Sequence, residues 1–144
     1  MLKGIDPLLN ADLLFTLAAM GHGDEIVLVD ANFPATATAR RLVRYDAADA
    51  VATLRAVLTL LPLDEFVPDP VQVMEVVGDP AAVPPVVRDF QAAVDAAEGK
   101  KVTIGRLERF AFYERAQRCF ALVATGERRL YGNVILKKGI IRPS

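Results

Sequence analysis

Hydrophobic positions in this chain follow two patterns, one with the period of a helix and one typical of buried strands. Leu54, Leu58 and Leu61 fall on one stripe of a helix. The nearly continuous aliphatic run Glu25–Asp30 is instead typical of a strand covered on both faces. The patterns predict helices over Ala11–Met20, Asp46–Leu61, Val83–Ala97 and Glu108–Cys119. They predict strands over Glu25–Asp30, Arg41–Tyr45, Val71–Val77, Val102–Leu107, Phe120–Ala124 and Gly132–Leu136.

Capping and turn residues stand where the predicted elements begin and end. We expect Asn10 to cap the first helix, and Gly21 to follow its end, because glycine adopts a left-handed closing conformation at little cost. Pro62 ends the second helix. Pro84 and Pro85 fall in the first turn of the third helix, where proline is tolerated.

Strands and helices alternate over the whole length, which predicts an α/β fold in which helices cover a largely parallel sheet. At about 100–200 residues per domain, the 144 residues correspond to a single domain over 1–144. The sequence contains no internal repeat, low-complexity tract or linker that would divide it.

The composition predicts association between copies of the chain. Hydrophobic residues make up 53% of the sequence, and the mean hydropathy is +0.29. A typical soluble domain has about 45–50% on a set that also counts glycine. The excess indicates apolar surface buried between subunits as well as within one, so we expect a homo-oligomer.

The net charge and the distribution of apolar residues argue against several classes of partner. The net charge of −1 offers no field for nucleic acid or an anionic membrane. No apolar run approaches the roughly 18 residues needed to cross a bilayer, and Asp6 and Pro7 interrupt the layout of a secretory signal. We therefore expect a soluble cytoplasmic protein with neither nucleic acid nor membrane as partner. One cysteine and one histidine cannot make an internal disulfide or a common zinc site.

The only histidine, His22, lies between Gly21 and Gly23 at a predicted helix-to-strand turn. The two glycines leave its imidazole uncovered, and an ordinary pKa of roughly 6.5 suits proton transfer near neutrality. However, His22 precedes a strand, whereas ligand crevices in open α/β sheets lie beyond the carboxyl ends of strands. The local pattern alone therefore favours a surface histidine without a task, with proton transfer as the alternative.

Polar side chains suited to a polyol occur in two further places. Asp30 ends the aliphatic strand, where it could accept hydrogen bonds from sugar hydroxyls or cap the turn that follows. Tyr131 and Asn133 are two apart on a predicted extended segment and so project to the same side. The alternative for this pair is ordinary hairpin turn chemistry.

The aromatic segment 109–117 is followed by the only cysteine, Cys119. Phe110 and Phe112 cannot share one helix face, so we expect one in the core and the other at an interface or a ligand. We expect Glu114 and Arg115 to form an ion-paired, solvated face. Cys119 is expected to be a buried small hydrophobe. A Cys–His nucleophile remains open, although nothing near the thiol would activate it.

Taken together, these segments resemble the RbsD/FucU family, and within it the fucose mutarotase branch. The matching segments occur in the same order over nearly the whole chain: Met1–Lys3, Gly21–Glu25, Asp30–Ala31, Phe33–Pro34, Arg109–Gln117 and Tyr131–Gly139. The ribose pyranase branch shares only the Gly-His, Asp-Ala and Tyr-x-Asn skeleton. Asn32 departs from the pattern, because relatives in the fucose branch carry histidine there, and the segment Thr36–Arg41 also differs.

The resemblance implies a single three-layer α/β domain, a ring-like homodecamer, and no metal or cofactor. It implies exchange of a free monosaccharide, L-fucose, between its α and β anomers. By resemblance, His22 is the proton donor or acceptor, and Asp30, Tyr131 and Asn133 bind the sugar. Arg109 either anchors a hydroxyl or orients Asp30. The competing hypotheses are a non-catalytic sugar-binding accessory of an uptake system, a ribose pyranase-like activity, and an oligomeric scaffold.

Overall fold

The structure, a computed structural model, describes all 144 residues, and helices and strands alternate along most of the chain. The helices are α1 Ala11–Ala19, α2 Ala35–Thr38, α3 Ala50–Leu58, α4 Pro85–Glu98 and α5 Arg109–Arg118. The strands are β1 Glu25–Val29, β2 Leu42–Tyr45, β3 Val71–Met74, β4 Ile104–Leu107, β5 Ala121–Thr125 and β6 Val134–Lys137. None of the helices is long and apolar enough to cross a lipid bilayer.

All six strands form one sheet in the order β2-β5-β1-β6-β3-β4. The pairings β1–β5, β2–β5 and β3–β4 are parallel, and only β6 runs antiparallel, to both of its neighbours. This confirms the predicted α/β fold with a largely parallel sheet.

Helices cover both faces of the sheet, which gives three layers. One core contains residues of α1, α3 and α4, and the other contains residues of α2 and α5. Along β1, Ile26 and Leu28 enter the first core, whereas Val27 and Val29 enter the second. The aliphatic run is therefore continuous because both of its faces are buried.

Local capping explains where the helices begin. The Asn10 side chain accepts a hydrogen bond from the Leu13 N–H at 2.9 Å, which confirms the predicted cap. Helix α3 begins at Ala50 rather than Asp46, because Asp49 caps it through the Ala52 N–H at 2.7 Å. The predicted end at Leu61 was also too late, since the helix ends at Leu58.

The structure differs from the sequence predictions in two further places. The short helix α2 was not predicted, because four residues are too few to show an apolar stripe. Strand β3 ends at Met74 rather than Val77, and the chain then turns at Gly78 with φ of 81°.

The strand directions define two opposite edges of the sheet. The carboxyl ends of five strands and the amino end of β6 form one edge, which we call the carboxyl edge. Asp30, Arg109 and Asn133 lie there because each adjoins a strand end on that side. The other edge, called the amino edge, carries His22, which precedes β1, and Lys138, which follows β6.

Candidate functional site

An open cavity of about 210 Å³ lies at the carboxyl edge. Its apolar wall is formed by Phe33, Met74, Val77 and Leu130. Its polar lining consists of Asp30, Asn32, Arg109, Tyr113, Tyr131 and Asn133. Four of the five site residues predicted from the sequence therefore line one cavity.

Asp30 follows β1 directly and is buried at the base of this cavity. Its carboxylate accepts the Asn32 N–H at 3.0 Å, so it caps the turn as well as facing the cavity. Burial raises the pKa of Asp30, and this outweighs the lowering by the backbone N–H groups of Asn32, Gly132 and Phe33 and by the Asn133 side chain. The carboxyl is consequently a better proton acceptor than an exposed aspartate.

Asn133 and Tyr131 reach the cavity from the turn before β6. The Asn133 Oδ1 accepts the Asp30 N–H at 2.8 Å and ties this turn to the end of β1. The Tyr131 hydroxyl accepts the Val77 N–H at 3.1 Å, which leaves its own proton available to a ligand.

The extended segment predicted for Tyr131 and Asn133 was wrong. Tyr131 is the only non-glycine residue with positive φ, at 64°, and strand β6 begins only at Val134. A left-handed tyrosine is strained by about 1–3 kcal/mol and persists only where its surroundings hold it. The two side chains line one cavity because of this turn, not because of strand alternation.

Arg109 opens helix α5 at the rim of the cavity. Its guanidinium carbon lies 5.5 Å from the Phe110 ring centroid and 5.7 Å from that of Tyr113. Arg109 lines the same cavity as Asp30.

His22 lies away from the other four residues, at the amino edge. The five residues of β1 separate the two edges by about 16 Å, at about 3.3 Å per residue. The His22 Nε2 is 3.1 Å from the Asp64 Oδ1, and its ring packs on Phe66 with centroids 5.3 Å apart. The imidazole is 46% exposed.

Asp64 was missed by the sequence reasoning, and no local pattern marks it. It is buried, and its Oδ1 accepts the Phe66 N–H at 3.1 Å as well as facing His22. Burial raises the pKa of Asp64, but the bonds from Phe66 and His22 and the charges of His22 and Lys137 outweigh it, so the net pKa is lowered. An ionised Asp64 fixes the His22 tautomer with Nε2–H towards it and leaves Nδ1 free to accept a proton.

Two expectations about the aromatic segment and the cysteine are now resolved. Arg115 does not form a solvated pair with Glu114; it forms a half-buried ion pair with Glu25 at 2.5 Å, and Glu114 pairs with Arg118. Cys119 is buried as expected, and burial raises the pKa of its thiol to about 12. The thiol stays protonated at neutral pH, which argues against a cysteine nucleophile.

No three His, Cys, Asp or Glu side chains converge to hold a metal ion.

Known proteins are similar to this chain in both sequence and fold. Fucose mutarotase of Bos taurus is 48% identical over 99% of this chain and 96% of its own length. A crystal structure of fucose mutarotase from Streptococcus pneumoniae in complex with L-fucose is 43% identical and superimposes with a TM-score of 0.91, covering 98% of this chain and all of that one. RbsD of Bacillus subtilis, solved with D-ribose, is 20% identical with a TM-score of 0.70 over 99% of this chain and all of that one, and shares the fold alone.

The family profile extends over almost the entire sequence. The RbsD / FucU transport protein family matches residues 3–141. This match covers both edges of the sheet and every site residue described above. The chain belongs to the RbsD / FucU family.

Proposed function

We propose that this protein interconverts the α and β anomers of free L-fucose by opening and reclosing the sugar ring. The observation that carries the proposal is the convergence of Asp30, Arg109, Tyr131 and Asn133 on one cavity from three separate segments. Carboxylate, guanidinium, phenol and amide groups together recognise several hydroxyls of a monosaccharide. The similarity to fucose mutarotases supports L-fucose as the sugar.

The reaction requires two proton movements and no redox step. The anomeric hydroxyl loses its proton while the bond between C1 and the ring oxygen breaks, and the ring oxygen gains a proton. The open aldehyde rotates about its first carbon–carbon bond and recloses on the other face. One positioned acid–base group contributes about 10²–10⁴-fold to such a step.

Within a single chain, His22 cannot act on a sugar in the cavity, because the two lie at opposite edges of the sheet. We infer that the active site is completed by a second copy whose amino edge packs against the carboxyl edge. The exposed aromatic ring of Phe66 beside His22, and exposed Val77 and Leu130 at the cavity mouth, supply apolar surface for such a contact. A contact between unlike edges is head-to-tail, and repeated head-to-tail contacts form a ring where the rotation between neighbours closes and a filament where it does not. A head-to-tail contact therefore fits the ring that the resemblance implies.

In this assembly, the roles divide between two subunits. The imidazole of His22 of the partner subunit, oriented by its own Asp64, takes and returns the proton of the anomeric hydroxyl. Asp30 and Asn133 hold sugar hydroxyls. Tyr131, whose hydroxyl proton is free, relays the second proton to the ring oxygen. Arg109 anchors another hydroxyl at the rim.

The proposal is tested by NMR saturation transfer between the α and β anomeric signals of L-fucose. Substoichiometric protein is expected to accelerate exchange, and to do so more for L-fucose than for D-ribose. Binding without acceleration would contradict the proposal and favour a sugar-binding accessory. Greater acceleration for D-ribose would favour a pyranase-like activity instead.

A variant of Asp64 tests the role of the His22–Asp64 pair. Asp64→Asn is expected to lower the exchange rate about 10²-fold or more, because the imidazole loses the carboxylate that orients it. Asp6→Asn is the matched control, since Asp6 also accepts a backbone N–H two residues on, from Leu8 at 2.9 Å, but contacts no histidine. Equal rates in the two variants would remove Asp64 from the mechanism.

A further inference from the structure

Three carboxylates are buried in this protein, and one of them has no place in the proposed reaction. Asp30 and Asp64 belong to the site described above, whereas Glu127 lies behind the cavity and does not line it. Its Oε1 accepts the backbone N–H of Arg129 at 3.1 Å and the Arg129 Nε at 2.8 Å. Its Oε2 accepts the Ala50 N–H at the start of α3, at 3.3 Å. A charge can be buried without a large cost only when donors such as these compensate it.

Glu127 contacts both segments that carry the sugar-binding residues. Its carbonyl oxygen accepts the N–H of Ala31, the residue after Asp30, at 2.9 Å. Its side chain lies against Gly132 so closely that a Cβ there would come within 2.7 Å of the Glu127 Cγ. The same Cβ would be 3.4 Å from that of Asp30. The Gly132 backbone therefore fills the gap between the two acidic side chains, and its N–H favours the ionised form of Asp30.

The turn that leads to Tyr131 needs such an anchor. Tyr131 is strained at a φ of 64°, and a strained residue keeps its conformation only when neighbouring contacts fix it. Arg129 supplies part of the restraint, because its guanidinium bonds Glu127 on one side and Asp89 of α4 on the other, at 2.7 Å. The carboxylate of Glu127 is where these restraints meet.

We propose that Glu127 is a positioning residue, which holds the Gly132 amide against Asp30 and the Tyr131 phenol over the cavity. It acts through these groups and does not touch the sugar. The inference rests on the proposed function for its effect on rate, although its effect on Asp30 is measurable without any sugar.

The test is Glu127→Gln, which keeps the size of the side chain but turns an amide NH₂ towards the Arg129 guanidinium or the Ala50 N–H. We expect kcat/KM for L-fucose exchange to fall about tenfold, as for coupled residues of one hydrogen-bond network. We also expect the pKa of Asp30, followed by carbon-13 NMR of its carboxyl, to rise further as the Gly132 N–H moves away. The variant does not replace Arg109, Tyr113 or Tyr131, the other ionisable residues that line the cavity.

The direction of the Asp30 shift separates positioning from simple loss of charge. Removing a nearby negative charge without moving the Gly132 amide would lower the pKa of Asp30. An unchanged or lowered pKa together with unchanged exchange therefore overturns the proposal. Glu114→Gln is the control, because Glu114 forms an exposed ion pair with Arg118 and does not line the cavity, so both readouts are expected to stay at wild-type values.

Two further outcomes are also decisive. If Glu127→Gln does not fold, Arg129→Lys carries the test, because it leaves the carboxylate in place but removes the Nε donor. The same rise in the Asp30 pKa is then expected, and its absence overturns the proposal. If wild-type protein does not accelerate exchange, the proposed function fails, but the Asp30 titration still decides whether Glu127 positions that carboxyl.

Discussion

Single residues in this site serve the fold and the chemistry at once. The sequence left open whether Asp30 caps the turn after β1 or faces a ligand. In the structure it caps the turn and also lines the cavity. Burial raises the pKa of the same residue, so the ionised carboxylate, which is the better acceptor for sugar hydroxyls, is costly in the folded state. Function and stability therefore oppose each other at this position.

Asp30→Asn is expected to lower the exchange activity about 10²-fold or more, because the variant loses a carboxylate that holds sugar hydroxyls in place. It is also expected to raise the thermal midpoint at pH 7. The sign follows from linkage. The pKa of Asp30 is higher in the folded protein than in the unfolded chain, so the folded protein binds the proton more tightly. Wild-type stability therefore falls as the pH rises from the unfolded pKa through the folded pKa. The gain in the variant is expected to shrink as pH falls towards 4, and differential scanning calorimetry across pH 4–7 measures it. A variant less stable than wild type at pH 7 would contradict this account.

Gly132→Ala tests the close packing behind Asp30. The new Cβ would lie 2.7 Å from the Glu127 Cγ and 3.2 Å from the Arg129 carbonyl oxygen, so the turn must shift. We expect the free energy of unfolding in urea to fall by about 1–3 kcal/mol, with weaker L-fucose binding. Gly21→Ala is the stability control, because its Cβ would meet only an Asp24 oxygen at an ordinary 3.7 Å. Equal stability in the two variants would count against the packing argument.

At the scale of elements, helix α5 connects local capping to the site. The Glu108 carboxylate accepts the N–H groups of Phe110 and Ala111 at 2.9 and 3.1 Å, so the helix starts immediately after β4. This start places Arg109 at the rim of the cavity. The orientation of the arginine consequently depends on a cap rather than on core packing.

Glu108→Ala is expected to cost about 1 kcal/mol of stability and to raise KM for L-fucose with little change in kcat. Asp49→Ala removes the equivalent cap of α3, which does not line the cavity, and should cost a similar stability without changing KM. Urea denaturation and anomer-exchange kinetics on both variants provide the comparison. A KM change of the same size in Asp49→Ala would mean that general loosening, not the placement of Arg109, is responsible.

Sequence patterns predicted elements well where burial is periodic and failed where contacts are distant. All six strands and four helices follow from apolar runs and stripes, whereas α2 is too short to show one. The Tyr131 hydroxyl bonds the Val77 N–H, 54 residues away in the sequence, and no local spacing reveals that contact. Likewise, Asp64 meets His22 across 42 residues, and no local spacing reveals that contact.

At the scale of the molecule, the proposed reaction requires more than one chain. Asp30 and its neighbours occupy the carboxyl edge, and the His22–Asp64 pair occupies the amino edge. Composition predicted association from the excess of apolar residues, and the resemblance placed all five residues in one site. The sequence signal that His22 lies across the sheet from the other four is its place before a strand rather than after one.

The most direct measurement is complementation between two inactive variants. His22→Ala and Asp30→Ala are each expected to lack accelerated exchange of L-fucose anomers by NMR saturation transfer. When the two are co-expressed in equal amounts, about a quarter of the sites in a head-to-tail ring would combine an intact His22 with an intact Asp30 from the next subunit. We predict recovery of about that fraction of wild-type activity. Mixed oligomers as inactive as either variant alone would contradict a site shared between opposite edges of two copies.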